Sequence, residues 1–147
     1  MPATRVDPYL ANNFLVEIDN TAVSSFSEVH GLEVSVEPVD YREGADTPNS
    51  VRKLSGLHKY SNITLKRGYT QNQDLWNWMK NILNGVSDRR NGAIVLQDEQ
   101  HNDVLRWNFT NAWPCRYAGP SLRADSNEVA IETLEICCEQ IELASGS

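Results

Sequence analysis

The sequence has few of the residues that build a disulfide framework or a metal site. It contains three cysteines and three histidines in 147 residues, without a Cys-x-x-Cys or His-x-x-x-His spacing, so the usual zinc-ligand pattern is absent. Cys137 and Cys138 are adjacent in a predicted strand, where their side chains point to opposite faces. We therefore expect buried free thiols.

Long apolar runs and clustered positive charge are also missing. No apolar run is long enough to cross a bilayer, and residues 1–8 lack the apolar region of a secretion signal. The net charge is -7, and basic residues occur at most in pairs such as Arg89-Arg90. Because phosphate binding needs clustered Lys and Arg, the charge argues against a nucleic-acid-binding protein. We expect synthesis and first folding in the cytoplasm.

The motifs of common catalytic sites are absent as well. His30, His58 and His101 are scattered, and no Gly-x-Ser-x-Gly, His-Glu-x-x-His or Gly-x-x-x-x-Gly-Lys motif occurs. The C-terminal glutamates are numerous enough for an acid pair, but their strand spacing favours a solvated face. They are Glu128, Glu132, Glu135, Glu139 and Glu142. The sequence predicts no catalytic, cofactor-binding or metal-binding residue.

Several short segments alternate apolar and polar residues with the period of a half-buried strand. The first, 14–19, puts Phe14, Val16 and Ile18 on one face. The next, 32–37, precedes Pro38, which removes a ladder donor and predicts an edge, a bend or a bulge. Further alternations lie at 63–66, 94–96 and 105–109, the last two joined by a hairpin loop over 98–103. The chain is predicted to be mainly β.

One segment has a helical period instead. Its apolar side chains recur at i, i+3, i+4, i+7 and i+8, at Leu75, Trp78, Met79, Ile82 and Leu83. Thr70 or Asn72 is expected to cap the start, and Gly85 to end the helix in a left-handed conformation. We expect one helix packed on a sheet and fixed by the burial of its apolar side chains.

The longest predicted strand runs over 128–143, and its apolar pattern changes parity twice. The three groups are Val129 and Ile131, then Leu134, Ile136 and Cys138, then Ile141 and Leu143. Since side chains alternate strictly along a strand, each change requires a bulge, a twist or an exchange of the buried face. The sequence therefore predicts one domain over 1–147, an antiparallel β-barrel or sandwich with one flanking α-helix.

The segment from Tyr41 to Tyr60 is rich in Gly, Pro, Asn, Ser and charge. It is too long for a simple connector in a compact domain. Two interpretations stay open from composition alone: a surface excursion, or a segment that becomes ordered when it meets a partner.

The four tryptophans admit a different class of function. Trp78 and Trp107 fall on apolar faces and are predicted to pack in the core. Trp76 and Trp113 could face a neighbouring subunit, or could form the platform of a secreted carbohydrate- or effector-binding β-module. A hydrolase built on the glutamate-rich strand is a third hypothesis.

A series of short motifs runs along nearly the whole chain. They are Asp7-Pro8-Tyr9, Phe26-Ser27-Glu28-Val29, Tyr41-Arg42-Glu43-Gly44, Lys53-Leu54-Ser55-Gly56-Leu57-His58-Lys59-Tyr60, Thr64-Leu65-Lys66-Arg67-Gly68, Leu75-Trp76-Asn77-Trp78, Arg106-Trp107-Asn108-Phe109, Asn111-Ala112-Trp113-Pro114, Gly119-Pro120, Asn127-Glu128-Val129-Ala130-Ile131-Glu132 and Glu132-Thr133-Leu134-Glu135-Ile136. In order and spacing they resemble the tail tube proteins of contractile phages and phage-tail-like injection systems, which share their fold with the ring protein of type VI systems. The chain departs from that pattern at His30, before Gly31-Leu32, and at Cys138-Glu139-Gln140, where His-Glu-Gly is more usual.

The resemblance implies a structural protein without enzymatic activity or cofactor. Its copies would form hexameric rings around an inner β-barrel, and the rings would stack into a hollow tube inside a contractile sheath. Such a tube conducts DNA or protein cargo and is driven through the target envelope when the sheath contracts.

The resemblance also implies two sets of contact residues. The N-terminal segment and a loop over 42–59 would touch adjacent rings, and polar strand residues would line the lumen. The inter-ring set is Asp7, Tyr9, Tyr41, Arg42, Glu43, Lys53 and Lys59, and the lumen-facing set is Glu33, Ser35, Glu37, Thr64 and Lys66. From net charge and strand alternation we expect an acidic lumen.

The partners implied in this way are other copies of the chain, the sheath, the baseplate or spike, a tube terminator and the cargo. Neither sequence-specific nucleic-acid binding nor membrane insertion is expected. Assembly is expected in the bacterial cytoplasm, in a phage tail or an injection particle.

Overall fold

Ten strands and one helix make up the described part of the chain, which in this computed structural model comprises residues 7–19, 21–23, 26–42, 44, 52–125 and 127–145. The elements are β1 (Phe14–Ile18), β2 (Thr21–Val23), β3 (Phe26–His30), β4 (Val34–Tyr41), β5 (Arg52–Tyr60), β6 (Ile63–Gly68), α1 (Asp74–Leu83), β7 (Arg90–Gln97), β8 (Asp103–Ala118), β9 (Ile131–Cys137) and β10 (Gln140–Ser145). Every strand pairing is antiparallel, which confirms the predicted fold class. Within these ranges no helix has the length and apolar character needed to span a membrane.

Two sheets enclose the core and share the long strand β8. The first sheet has the order β2-β1-β7-β8-β10, and the second sheet has the order β3-β6-β9-β8. The part of β8 up to Ala112 pairs with β7, and the part from Trp113 onward pairs with β9. One covalent strand therefore belongs to both sheets.

The corner between the sheets lies at Asn111. Phe109 and Ala112 both face the core although they are three residues apart, so β8 changes its buried face between them. Asn111 has a φ of 51°, in the left-handed region that Asn tolerates better than most residues. Its N–H donates to Asn91 Oδ1 and its side-chain amide donates to Glu139 Oε2, each at 2.9 Å. These bonds hold the corner.

The predicted strand over 128–143 is two strands that follow the same edge of β8. Pro114 pairs with Ile136 and Thr110 pairs with Gln140, so the register is kept across the break between β9 and β10. This break lies opposite Asn111, and it accounts for the second predicted change of parity.

The first predicted change of parity has a different cause. The pairing of β6 with β9 is continuous from Ile136 to Ile131, without a bulge. Glu132 takes the core-facing position next to Leu134, and Ile131 faces outward. The apolar pattern changes parity here because a charged residue, Glu132, occupies a buried position.

Helix α1 covers the segment that has the predicted helical period. Asn72 Oδ1 accepts the N–H of Asp74 at 2.9 Å, while Gln73, at the N-cap position, makes no side-chain cap. Gly85 follows the helix with a φ of 81° and donates its N–H to the Ile82 carbonyl. The predicted stop at Gly85 is confirmed. The predicted cap at Thr70 or Asn72 is wrong, because the N-cap residue is Gln73 and Asn72 instead forms a turn with the first residue of the helix.

Trp78 anchors α1 to the rest of the molecule. Its ring is fully buried, its indole N–H donates to the Asp88 carbonyl at 2.8 Å, and the Arg90 guanidinium lies 4.7 Å from the ring centroid. Arg90 also binds the Asp88 carboxylate and lowers the pKa of that group. Of the predicted apolar stripe, Leu83 is the residue that stays exposed.

The core is built from both sheets and the helix. Trp107, as predicted, packs against it. The buried members are Val16, Ile18, Ile63, Leu65, Leu75, Trp78, Ile94, Phe109, Ala112, Leu134 and Ile136.

The predicted loop over 42–59 is largely wrong, because residues 52–59 belong to strand β5. Strands β4 and β5 pair with each other from Val34 opposite Tyr60 to Tyr41 opposite Arg52, in a separate two-stranded sheet that we call the β4–β5 ribbon. A Cβ at Gly56 would lie 2.7 Å from the Glu37 carbonyl oxygen, so this glycine permits a close strand pairing. Pro38 lies at the predicted bulge.

Trp78→Ala should lower the free energy of unfolding by about 3–5 kcal/mol, because a large buried side chain leaves a cavity. Urea unfolding measures this loss. Trp76→Ala on the same helix is the control, and it should cost less than half as much because Trp76 is 39% exposed. Equal losses in the two variants would contradict the assignment of Trp78 as the anchor.

Candidate assembly interface

An ion pair between Arg67 and Glu132 lies inside the core. The two residues are directly opposite on β6 and β9, and their side chains are 4% and 1% exposed. Arg67 also donates to the Asn72 carbonyl at 3.2 Å, and the Tyr117 hydroxyl donates to Glu132 Oε2 at 2.7 Å. The prediction that Glu132 belongs to a solvated glutamate face is therefore wrong. Its burial is tolerated because a cation faces it across the strand pair.

The network continues to the surface at a second tyrosine, Tyr69, which is 44% exposed. The hydroxyls of Tyr69 and Tyr117 are 2.6 Å apart. Burial, together with hydrogen bonds to Tyr69 and Glu132, raises the pKa of Tyr117 far above its ordinary value. The network joins β6, β8, β9 and the segment before α1, so it fixes the second sheet to the helix. Glu132 is engaged in this network and is shielded from solvent.

The outward face of the second sheet is polar and carries balanced charge. Its described residues opposite the core are Glu28, His30, Thr64, Lys66, Gly68, Arg116, Ala118, Ile131, Thr133 and Glu135, together with Trp113, Cys115 and Cys137 near the corner. Two carboxylates face two basic groups, and Lys66 Nζ lies 3.9 Å from Glu28 Oε2. The predicted lumen residues Thr64 and Lys66 lie on this face. The strongly acidic surface expected from net charge is not found here.

The other predicted lumen residues lie elsewhere. Ser35 and Glu37 are on strand β4, and Glu33 immediately precedes it. The structure therefore divides the lumen set between the second sheet and the ribbon.

The second sheet ends in two strand edges that pair with nothing else among the described residues. Strand β3 pairs with β6, and residues 113–118 of β8 pair with β9. Three antiparallel pairings separate these strands, so β3 and this part of β8 run in opposite directions. Such edges offer a row of backbone donors and acceptors to another chain.

The predicted inter-ring residues fall on two parts of the molecule. Tyr41, Lys53 and Lys59 are on the ribbon, and Arg42 follows β4. Asp7 and Tyr9 are on the N-terminal segment, and Glu43 lies outside the described residues.

The ribbon presents apolar side chains to solvent. Its described side chains are exposed except at Gly56 and Tyr60, and Leu57 is 78% exposed. The other large apolar residues exposed on it are Val34, Val36, Val39, Tyr41 and Leu54. A two-stranded ribbon is at best marginally stable alone, and contiguous exposed apolar surface marks an interaction site. These features mark the ribbon as a candidate interaction surface.

The cysteines are free, but they are half-buried where full burial was predicted. The reason is position: Cys115 and Cys137 lie near the corner on the outward face of the second sheet. Burial raises the pKa of Cys115 to about 12 and that of Cys138 to about 11. Within the described ranges no group of three His, Cys, Asp or Glu side chains is arranged to hold a metal ion.

The three histidines lie at the surface, as predicted, and Trp76 and Trp113 are both partly accessible. His30, His58 and His101 are exposed. Trp76 packs against Tyr117 with ring centroids 5.2 Å apart, and Trp113 is half-buried on β8 opposite Cys137.

Two features of the second sheet are not predicted by the sequence analysis. The first is strand β3, which does not alternate regularly because a bulge between Phe26 and Glu28 puts Phe26 and Val29 on the same face. The second is the Arg67–Glu132 pair, whose residues are 65 positions apart in the sequence. Each of the two occupies an apolar position of an alternating strand, and this is the local sequence feature that indicates a buried charge.

The family model of the T4-like virus tail tube protein gp19 matches residues 10–142. The chain belongs to this tail tube family. No curated protein sequence matches it.

Solved structures agree with the family. A chain from the PVC sheath-tube complex of an extracellular contractile injection system, in its extended state, is 26% identical with a TM-score of 0.83, over 94% of this chain and 92% of that one. A chain from the cap of the anti-feeding prophage is 25% identical with a TM-score of 0.88, over 99% and 97%. Hcp1 from Flavobacterium johnsoniae, at 17% identity and a TM-score of 0.55 over 90% and 95%, shares the fold. The chain is thus a tail tube protein of the kind found in contractile injection systems.

Glu132→Leu should lower the free energy of unfolding by about 3–5 kcal/mol, because it leaves the Arg67 guanidinium buried without its partner. The double variant Arg67→Met with Glu132→Leu should recover most of that loss. Urea unfolding measures both.

Glu28→Leu is the matched control, since Glu28 pairs with Lys66 at the surface, where such pairs contribute about 0–1 kcal/mol. A loss for Glu28→Leu as large as that for Glu132→Leu would show that burial of the pair is not what matters.

Proposed function

We propose that this chain forms the inner tube of a contractile phage tail or injection particle, as closed rings stacked into a hollow tube. Family membership supports the tube, and the two open edges of the second sheet are the observation that supports the ring. Strand β3 and residues 113–118 of β8 are antiparallel, so the β8 edge of one copy can extend the β3 edge of the next without a change of pattern.

The geometry of that joint leads to a continuous barrel. Each copy adds four strands, and the antiparallel order repeats at every joint, so rotation of one copy onto the next closes the sheet on itself. The resemblance supplies six as the number of copies. Closure pairs both exposed edges, which would otherwise promote uncontrolled association.

The outward face of the second sheet then lines the channel. Thr64 and Lys66 lie on it beside Glu28, Arg116 and Glu135, so this part of the wall is polar with balanced charge. Such a wall has no strong attraction for either sign of cargo charge. Glu33, Ser35 and Glu37 can line the lumen only if the start of strand β4 also borders the channel.

Stacking of rings uses the remaining surfaces. Asp7 and Tyr9 on the N-terminal segment, and Tyr41, Lys53 and Lys59 on the ribbon, contact the adjacent ring, together with Arg42 and Glu43. The exposed apolar side chains of the ribbon support this role, because burial at a ring junction would stabilise a strand pair that has no core of its own.

The other partners follow from the particles in which similar chains occur. Those structures are described as a sheath-tube complex, a baseplate and a tube-terminating cap. The chain accordingly contacts a sheath along the tube, a baseplate or spike at one end and a terminator at the other. It has a structural role without catalysis, is assembled in the bacterial cytoplasm, and conducts DNA or protein cargo.

Purified protein examined by electron microscopy over a range of concentrations should form rings or hollow tubes, with size-exclusion chromatography to follow their growth. Closed rings or hollow tubes support the proposed assembly. Monomers at every concentration, combined with glycan binding, would instead favour the carbohydrate-binding module.

Arg42→Ala with Glu43→Ala should impair ring stacking while the subunit stays folded, because the exchange removes charged side chains at the ring junction. Micrographs should show single rings or shorter tubes, and circular dichroism should be unchanged. Tube lengths equal to those of the parent would contradict a stacking role for these residues.

A further inference from the structure

Two of the three cysteines lie on the same face of the second sheet, on neighbouring strands. Cys137, at the end of β9, is opposite Trp113 on β8. Cys115 lies two residues beyond Trp113 and has no partner in the register of β8 with β9. Both thiols are free, partly accessible and on the outward face. They form a pair of thiols that a small molecule can reach from one side of the sheet.

A β-bulge brings the two cysteines closer together. The register shifts between Pro114 and Arg116, so Cys115 is the extra residue of the bulge. In a regular strand Cys115 would be offset by two residues from Cys137, as in an ordinary diagonal pair. The bulge reduces this offset to between one and two residues, because Pro114 and Arg116 are opposite successive residues of β9.

The Cys115 thiol reaches across to the strand that carries Cys137. It donates to the carbonyl oxygen of Glu135 on β9, with 3.4 Å between the sulfur and the oxygen. Asn62 approaches the same sulfur from the other side of β9, where the register places it next to Cys137. Its Nδ2 lies 3.8 Å from Cys115 Sγ and 2.9 Å from Glu135 Oε1. The Cys115 sulfur therefore lies over β9, close to the side chain of Cys137.

The third cysteine, Cys138, has a different environment. Its side chain packs against the core, and its Sγ lies 3.9 Å from the Ser61 carbonyl oxygen. Side chains of successive residues in an extended strand point to opposite faces, so Cys138 points away from both Cys115 and Cys137. It is an internal control for any reaction of the pair.

We infer that Cys115 and Cys137 are a site of oxidative modification, at which they form an intramolecular disulfide bond on exposure to a small-molecule disulfide such as oxidised glutathione. The bond ties β8 to β9 across the bulge, in the part of β8 whose other edge is unpaired among the described residues. It needs a single copy of the chain, so it is independent of the proposed tube.

The reaction is a thiol–disulfide exchange in two steps. Cys137 loses its proton and attacks one sulfur of the small disulfide, which gives a mixed disulfide and releases one thiol. Cys115 then loses its proton and attacks the Cys137 sulfur, which forms the S–S bond and releases the second thiol. The two protein thiols are oxidised by two electrons, and the small disulfide is reduced to two thiols.

The order of these steps follows from the surroundings of Cys115. Burial, the Cys137 thiol and the Glu135 carboxylate all raise the pKa of Cys115, so little of it is present as the reactive thiolate. Once Cys137 is part of a mixed disulfide it carries no thiolate charge. One cause of the raised pKa of Cys115 is then removed before Cys115 has to react.

Oxidation of the folded parent chain with excess oxidised glutathione tests the bond. The remaining thiols are blocked with N-ethylmaleimide in denaturant, and mass spectrometry counts them and identifies the linked peptides. The number of blocked thiols should fall from three to one, with Cys115 linked to Cys137 and Cys138 blocked. Three blocked thiols, glutathione retained on Cys137, or a link that includes Cys138 would overturn the inference.

Serine variants separate the roles of the three thiols. Cys138→Ser is the matched control and should form the same link as the parent. Cys115→Ser should stop at the mixed disulfide on Cys137, because the second thiol is missing. Cys137→Ser should take up glutathione about tenfold more slowly than Cys115→Ser, because its remaining outward-facing thiol is the weaker nucleophile. Equal uptake by these two variants would contradict the order of the steps.

Urea unfolding measures whether the folded strands accommodate the bond. The linked parent should unfold at a higher urea concentration than the reduced parent, because the bond closes a loop over residues 115–137 and restricts the unfolded chain. Cys115→Ser should unfold at about the same urea concentration before and after the same treatment. A linked parent that unfolds at a urea concentration no higher than the reduced parent would show that the bond does not fit the fold, and would overturn the inference.

Discussion

The second sheet depends on the buried ion pair between Arg67 and Glu132. Two charges inside a core are tolerated only if they meet each other, since each alone would carry a large desolvation cost. A slip of two residues between β6 and β9 would keep Leu134 and Ile136 in the core but would move Glu132 away from Arg67 and leave both charges unpaired. The pair therefore fixes a register that apolar side chains alone would tolerate in more than one form. Its cost in stability is offset by specificity of pairing.

That register matters beyond the subunit. In the proposed ring the second sheet continues from one copy into the next, and the edges must present their backbone groups at matching heights. Tyr117 and Tyr69 extend the same network to the segment before α1, so helix and sheet keep one relative position. The ribbon has no such internal support. It lies outside the core with its apolar side chains exposed. In the proposed tube, contacts with another copy would bury these side chains.

Much of the fold could be predicted from local pattern. Strand β1, the β7–β8 hairpin and α1 with its stop at Gly85 follow from period and turn chemistry, which act within a few residues. Strand β5 could not be found in this way, because Gly56 suggests a breaker whereas its actual role is close strand pairing. The prediction of a solvated Glu132 fails because its partner Arg67 is distant in sequence. The inter-ring and lumen residues rest on the resemblance, since contacts between copies leave no local pattern in the sequence.

Strand β8 passes from the first sheet to the second without a chain break, through the left-handed residue Asn111. The two walls of the subunit are therefore joined by covalent bonds as well as by packed side chains. In a hollow tube that is pushed end-on, an axial load on one wall reaches the other along the peptide backbone itself. In the proposed tube, where the second sheet lines the channel, the backbone through Asn111 would therefore join the inner wall to the outer wall and oppose sliding of one wall past the other.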